Sequence, residues 1–150
     1  MISFRTLAKF DKGSAVICLS EEQVQKNQFA FNQSEVKKLI ADLNKSKQFS
    51  GKEGELFPVL INKNLILLTG IGKEGEFSLT SFRITLRNAV LTRYLKKVTE
   101  IEIVLPDQKD PTVIAAIEAV KLGTYVWDKY KFECQKKKVK KEYHIITSSK

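Results

Sequence analysis

Four residues, Gly70, Gly72, Lys73 and Gly75, stand in the order G-I-G-K-E-G after the apolar run NLILLT and before the helix-like run SLTSFRITL. This spacing fits G-x-G-x-x-G, whose glycines let a backbone approach a pyrophosphate at the start of a helix. The chemistry would be phosphate binding, so these four residues form the candidate ligand loop. Two details weigh against a dinucleotide. The apolar stripe begins only at Leu79, with Ser78 or Thr80 as its cap, so the third glycine has no helix to pack in. The acids available to hold a ribose, Glu100, Glu102 and Asp107, also lie farther on than the usual ~20 residues. A phosphate loop of the G-x-x-x-x-G-K-[ST] type needs Lys and a hydroxyl after the last glycine, where Glu76 and Phe77 stand instead.

Other chemistry is sparse. His144 is the only histidine, so no His-rich metal site can be built, and a lone His in KEYHIIT reads as a surface or packing residue. Cys18 and Cys134 form neither a C-x-x-C nor a disulfide ladder. No nucleophile elbow, H-E-x-x-H or Cys/His pairing occurs. Glu74 and Glu76 read as solvated loop charges. Catalytic and metal-binding residues are therefore expected to be absent from this chain.

The elements that must position the glycine loop follow from periodicity. Ile2 to Leu7 and Ser14 to Leu19 read as strands around a turn at FDKGS. Ser34 reads as the N-cap of an amphipathic helix with Val36, Leu39, Ile40 and Leu43 at i, i+3, i+4, i+7. LFPVLI and NLILLTG read as a hairpin about Asn62-Lys63-Asn64. A second helix runs from Ser78 with Leu79, Phe82, Leu86, Ala89, Val90, Tyr94 and Leu95 on one stripe. Ile101 to Leu105 is a strand stopped by Pro106-Asp107. Asp110-Pro111 starts a third helix, lined by Val113, Ala116, Ile117, Val120 and Trp127, with Gly123 permitting close approach of a neighbour. KEYHIIT adds a last strand. The expected architecture is an α/β fold with a mixed sheet covered by helices.

Size and charge bound the function. A chain of 150 residues is one ordinary domain. Its 26 Lys and Arg against 17 Asp and Glu give +9, which permits contact with nucleic acid, anionic membrane or acidic protein. Seven lysines between Lys129 and Lys141 face one acid, Glu133, and read as a solvated segment. The basic face of the Ser78 to Lys97 helix is a candidate DNA contact. No run of about 18 apolar residues and no signal-like N-terminus occur, which points to the cytoplasm and away from membranes.

Several segments, taken in order, resemble the N-terminal domain of the leucyl aminopeptidase (cytosol aminopeptidase) family. They are GSAVICL, FSGKEGEL, NLILLTGIGKEGEFSLTSFRITLRNAV, the strand ending in LPD, and AAIEAVKLGTYVWDKYK. The most specific are the GIGK turn with its following F-S-L-x-x-x-R helix, and E-A-V-K-L-G-T-Y-x-x-D-K-Y-K; Trp127 replaces the Phe usual in the family. The resemblance implies a macro-domain-like α/β fold with helices on both faces, over residues 1–132, and a basic segment 133–150 leading to a catalytic domain absent from this chain. It implies a cytoplasmic, metal-dependent parent enzyme that removes N-terminal residues from peptides and assembles as a homohexamer. That parent's two divalent metals, zinc or manganese, its catalytic lysine and its arginine motif would lie in the C-terminal domain, so this chain would itself hold no cofactor. It looks like a domain cut from an aminopeptidase or a natural truncation, with its own catalytic domain as partner. The alternatives are a nucleotide or ADP-ribose module built on Gly70 to Gly75, and a DNA-binding domain.

Overall fold

In the computed structural model the described residues are 1–6, 14–31, 33–125 and 140–147. Strand β1 covers Ile2–Thr6 and β2 covers Ser14–Leu19. Helices α1 (Glu21–Lys26) and α2 (Ser34–Lys45) lead to β3 (Leu56–Ile61) and β4 (Asn64–Gly70). Helix α3 (Leu79–Leu91), β5 (Glu100–Val104), α4 (Asp110–Thr124) and β6 (Glu142–Thr147) complete the order. The six strands form one sheet in the order β1-β6-β5-β2-β4-β3, parallel throughout except for the β3–β4 hairpin.

The unbroken apolar run AVICL forms β2 because a central parallel strand buries both faces. Val16 and Cys18 pack with Leu86, Ala89, Ala116 and Val120 of α3 and α4. Ala15, Ile17 and Leu19 pack on the other side with Val24, Val36 and Ile40 of α1 and α2. Helices thus cover both faces, as the resemblance implies. Burial also pushes the Cys18 thiol up to about 12, so it is an inert core residue at neutral pH.

Local signals set most boundaries. Asn62 and Lys63, both at positive φ (50° and 70°), form the two-residue turn of the β3–β4 hairpin. Ser78 caps α3 through Ser81 N–H at 3.5 Å, and the stripe expected to reach Leu95 breaks at Leu91 into a short 3₁₀ turn, Arg93–Leu95. Pro111 lies in the first turn of α4, where a missing N–H is tolerated. Two expectations need correction. Ser34 is the first residue of α2 rather than its cap, which is Gln33. Helix α1 is absent from the sequence reading, yet Ser20 and Gln23 close a reciprocal capping box that starts it. The strand expected at KEYHIIT is β6, Glu142–Thr147, which lies between β1 and β5. Residues 10–13 of the FDKGS turn, Trp127, Cys134 and the lysines from 129 to 138 lie outside the described residues.

Candidate functional site

Three loops meet where β2 and β4 end. Gly70 N–H donates to Glu55 O (2.8 Å), Ile71 N–H to Leu19 O (3.0 Å) and Gly72 N–H to Gly51 O (2.9 Å). In return, Gly54 N–H donates to Gly70 O and Glu21 N–H to Gly72 O, each at 3.0 Å. Glu55 tightens the middle loop, since its Oε2 accepts from the Ser50, Gly51 and Lys52 N–H groups at 3.0, 3.0 and 3.1 Å.

The glycines have specific reasons. A β-carbon on Gly70 would lie 2.0 Å from the Lys52 carbonyl oxygen, so the crossing of the two loops requires its absence. Gly72 sits at φ +82°, a conformation that side chains oppose. Gly75 has neither constraint. Lys73 is exposed and pairs with Glu76 at 3.7 Å. The N–H groups of residues 70, 71 and 72 are all spent on the chain's own carbonyls, and that of Glu74 on Glu22 Oε2 at 3.0 Å. An anion entering this loop would have to displace those acceptors, whereas a phosphate loop presents its donors unpaired. The bond from Glu74 N–H also lowers the Glu22 pKa.

Beside this junction lies an open cleft of about 240 Å³ at the carboxyl ends of β2, β4 and β5. Ser20 and Gln23 come from the start of α1, Ile71, Glu74 and Phe77 from the loop after β4, and Pro106, Asp107 and Lys109 from the loop after β5. The chain after β2 turns to the α1/α2 face, while the chains after β4 and β5 turn to the α3/α4 face. Such a divergence opens a crevice at the strand ends. Its walls are tied together: Ser20 Oγ donates to Glu74 Oε1 at 2.9 Å, and Gln23 Nε2 donates to Pro106 O at 3.1 Å. Asp107 Oδ1 accepts from Lys109 N–H at 3.0 Å.

A second polar group lies across β1, β6 and β5. Ser3 Oγ is 2.6 Å from His144 Nδ1, and His144 Nε2 is 3.0 Å from Glu100 Oε1. Arg5 binds Glu100 at 2.6 Å and Glu102 at 3.4 Å. His144, expected as a surface or packing residue, is only 5% exposed. A hydroxyl, an imidazole and a carboxylate in line resemble a nucleophile relay, but the Arg5 guanidinium already claims the carboxylate. Because Ser3 and Arg5 both come from β1, the group fastens this edge strand to its neighbours. The Glu100 pKa is lowered, first by the Arg5 hydrogen bond, and the Glu102 pKa is raised, first by burial.

The basic residues are dispersed. Arg83 pairs with Glu118 of α4, and Arg93 lies over the Tyr94 ring at 5.5 Å. Lys141, grouped with the solvated lysines on sequence grounds, donates to Leu95 O at 2.6 Å, and burial lowers its pKa. Among the described residues, no three His, Cys, Asp or Glu side chains converge as metal ligands.

Residues 15–133 match the cytosol aminopeptidase family, N-terminal domain. No curated protein matches the chain. Among solved structures, a tomato leucine aminopeptidase variant is similar at 19% identity and TM-score 0.70, over 99% of this chain and 32% of that one. The bottromycin maturation enzyme BotP is similar at 16% identity and TM-score 0.60, over 91% of this chain and 28% of that one. The chain thus spans about a third or less of the length of these structures.

Proposed function

The chain belongs to the cytosol aminopeptidase family, as an N-terminal domain of it, and from that premise we propose that it is the non-catalytic accessory domain of a cytoplasmic, metal-dependent leucyl aminopeptidase. Its role is to pack against the catalytic domain and support assembly of a hexamer. The two divalent metals, zinc or manganese, belong in this reading to the catalytic domain. This chain's described residues offer no converging ligand set for them.

One observation supports a packing role above all. The exposed faces of α3 and α4 carry Ile84, Leu91, Ile114 and Leu122, with Tyr125 at the helix end, each more than half exposed. Aliphatic and aromatic groups gathered on two neighbouring helices suit a surface that another domain covers. The nucleotide and DNA alternatives have less support. The glycine loop has spent most of its N–H donors internally, and Arg83 of the α3 basic face is engaged by Glu118.

The test is hydrolysis of leucyl p-nitroanilide by the pure 150-residue chain in the presence of zinc or manganese. The expected result is no turnover above the metal blank. Sustained turnover that co-purifies with the chain overturns the proposal.

A further inference from the structure

The cleft at the ends of β2, β4 and β5 has a chemistry of its own, independent of the packing role. We propose that it binds a free α-amino acid with an apolar side chain: the ammonium on Glu74 and Asp107, the carboxylate on Lys109, and the side chain against Ile71, Phe77 and Pro106.

Size is the first argument. Pockets for drug-sized ligands run to about 300–1,000 Å³, and this cleft holds about 240 Å³. That space is on the scale of one small ligand such as an amino acid. Charge is the second. Glu74 and Asp107 line the cleft and Glu22 stands behind Glu74, hydrogen-bonded to its N–H. Two lining carboxylates against one lysine disfavour a polyphosphate, and the nearby backbone donors are already taken. An ammonium, with three N–H donors and no acceptor, fits carboxylate oxygens well.

The partners are also poised. Glu74 Oε1 accepts from Ser20 Oγ at 2.9 Å, which orients the carboxylate at the cleft wall. Lys109, exposed at the rim, has no ion-pair partner among the described residues and can meet the carboxylate of a zwitterion. Ile71, Phe77 and Pro106 supply the apolar wall that selects an aliphatic side chain over glycine or a dicarboxylic acid. The Gln23–Pro106 and Ser20–Glu74 bonds hold opposite walls before a ligand arrives, which lowers the ordering cost of binding. On the reading that the parent is an aminopeptidase, such a ligand is of the class the enzyme releases, and the site senses product.

The experiment is calorimetric titration of the full chain with L-leucine. Saturable binding is expected in about the millimolar range. 4-Methylpentanoate, which lacks the amine, should bind at least about tenfold more weakly. Glu74→Gln keeps an acceptor for Ser20 but removes the charge; it should weaken leucine by a similar factor while the thermal midpoint stays unchanged, showing that the variant is folded. Lys109→Met should weaken leucine but not leucinamide, which has no carboxylate to pair. A flat titration with leucine, equal binding by folded Glu74→Gln, or saturable binding of ADP-ribose in place of leucine overturns the proposal. None of these results bears on the leucyl p-nitroanilide test.

Discussion

At the residue scale, two glutamates two positions apart on β5 carry opposite electrostatic burdens. The Glu100 pKa lies below the ordinary 4.5 because Arg5 hydrogen-bonds the carboxylate. Its stabilising contribution is present above 4.5 and is lost as pH falls through the folded-state value. The Glu102 pKa lies above 4.5 because burial penalises the charge more than Arg5 relieves it. Its contribution is greatest below 4.5 and declines as pH rises through the folded-state value. Glu102→Gln should therefore remove a decline in stability above 4.5, and Glu100→Gln should remove a loss below it; denaturant midpoints across about pH 3 to 8 check both. The glycines give a sharper contrast. Gly70→Ala drives a β-carbon into the Lys52 carbonyl and should cost about 3 kcal/mol or more. Gly75→Ala meets nothing within 4 Å and should be neutral to within about 0.5 kcal/mol in the same urea titration. The sequence singled out Gly70, Gly72, Lys73 and Gly75 as a ligand loop, and nothing local could show that their neighbours were the chain's own carbonyls. The Ser3–His144–Glu100 contacts were equally hidden, since they join residues from opposite ends of the chain.

At the scale of elements, α3 and α4 lie close because Gly123 offers no side chain to α3. A β-carbon there would lie 2.8 Å from Val90 Cγ2, and Val is stiff at χ1. Gly123→Ala sets a gain of up to about 1 kcal/mol in helix propensity against that contact. Gly123→Leu has no such balance and should destabilise by about 1–3 kcal/mol through overpacking, read as a lowered melting temperature. The elements most legible in the sequence were those with local signals. The Asn62-Lys63 turn, the Ser78 cap and Pro111 announced β3–β4, α3 and α4 within a few residues. Helix α1 was missed because six residues show little periodicity, although Ser20 followed by Gln23 spelled a capping box. Sheet order was not legible, because β2 takes as neighbours two strands, β4 and β5, that are distant in the chain. The cleft inherits that difficulty: its three lining segments come together only once that order is formed.

At the scale of the whole molecule, the net charge of +9 is less telling than the outer surface of α3 and α4. If another domain covers that surface, mixing the chain with a separately produced catalytic domain should slow amide hydrogen exchange in α3 and α4. Leu91→Glu with Leu122→Glu should weaken that association at least about tenfold. Because both positions are exposed, the double variant should retain the chain's own stability to within about 1 kcal/mol. Unchanged exchange in the wild-type mixture would place the contact elsewhere.

The pairing of β1 with β6 also constrains the timing of biosynthesis. Ile2 aligns with Tyr143, and the Met1 ammonium donates to the Lys141 carbonyl, so the sheet joins segments about 140 residues apart. At translation rates of about 5–20 residues per second, β1 would leave the ribosome on the order of 10 s before its partner exists. During that interval Phe4 and its neighbours are an unpaired strand whose backbone edge stays open until β6 has been made.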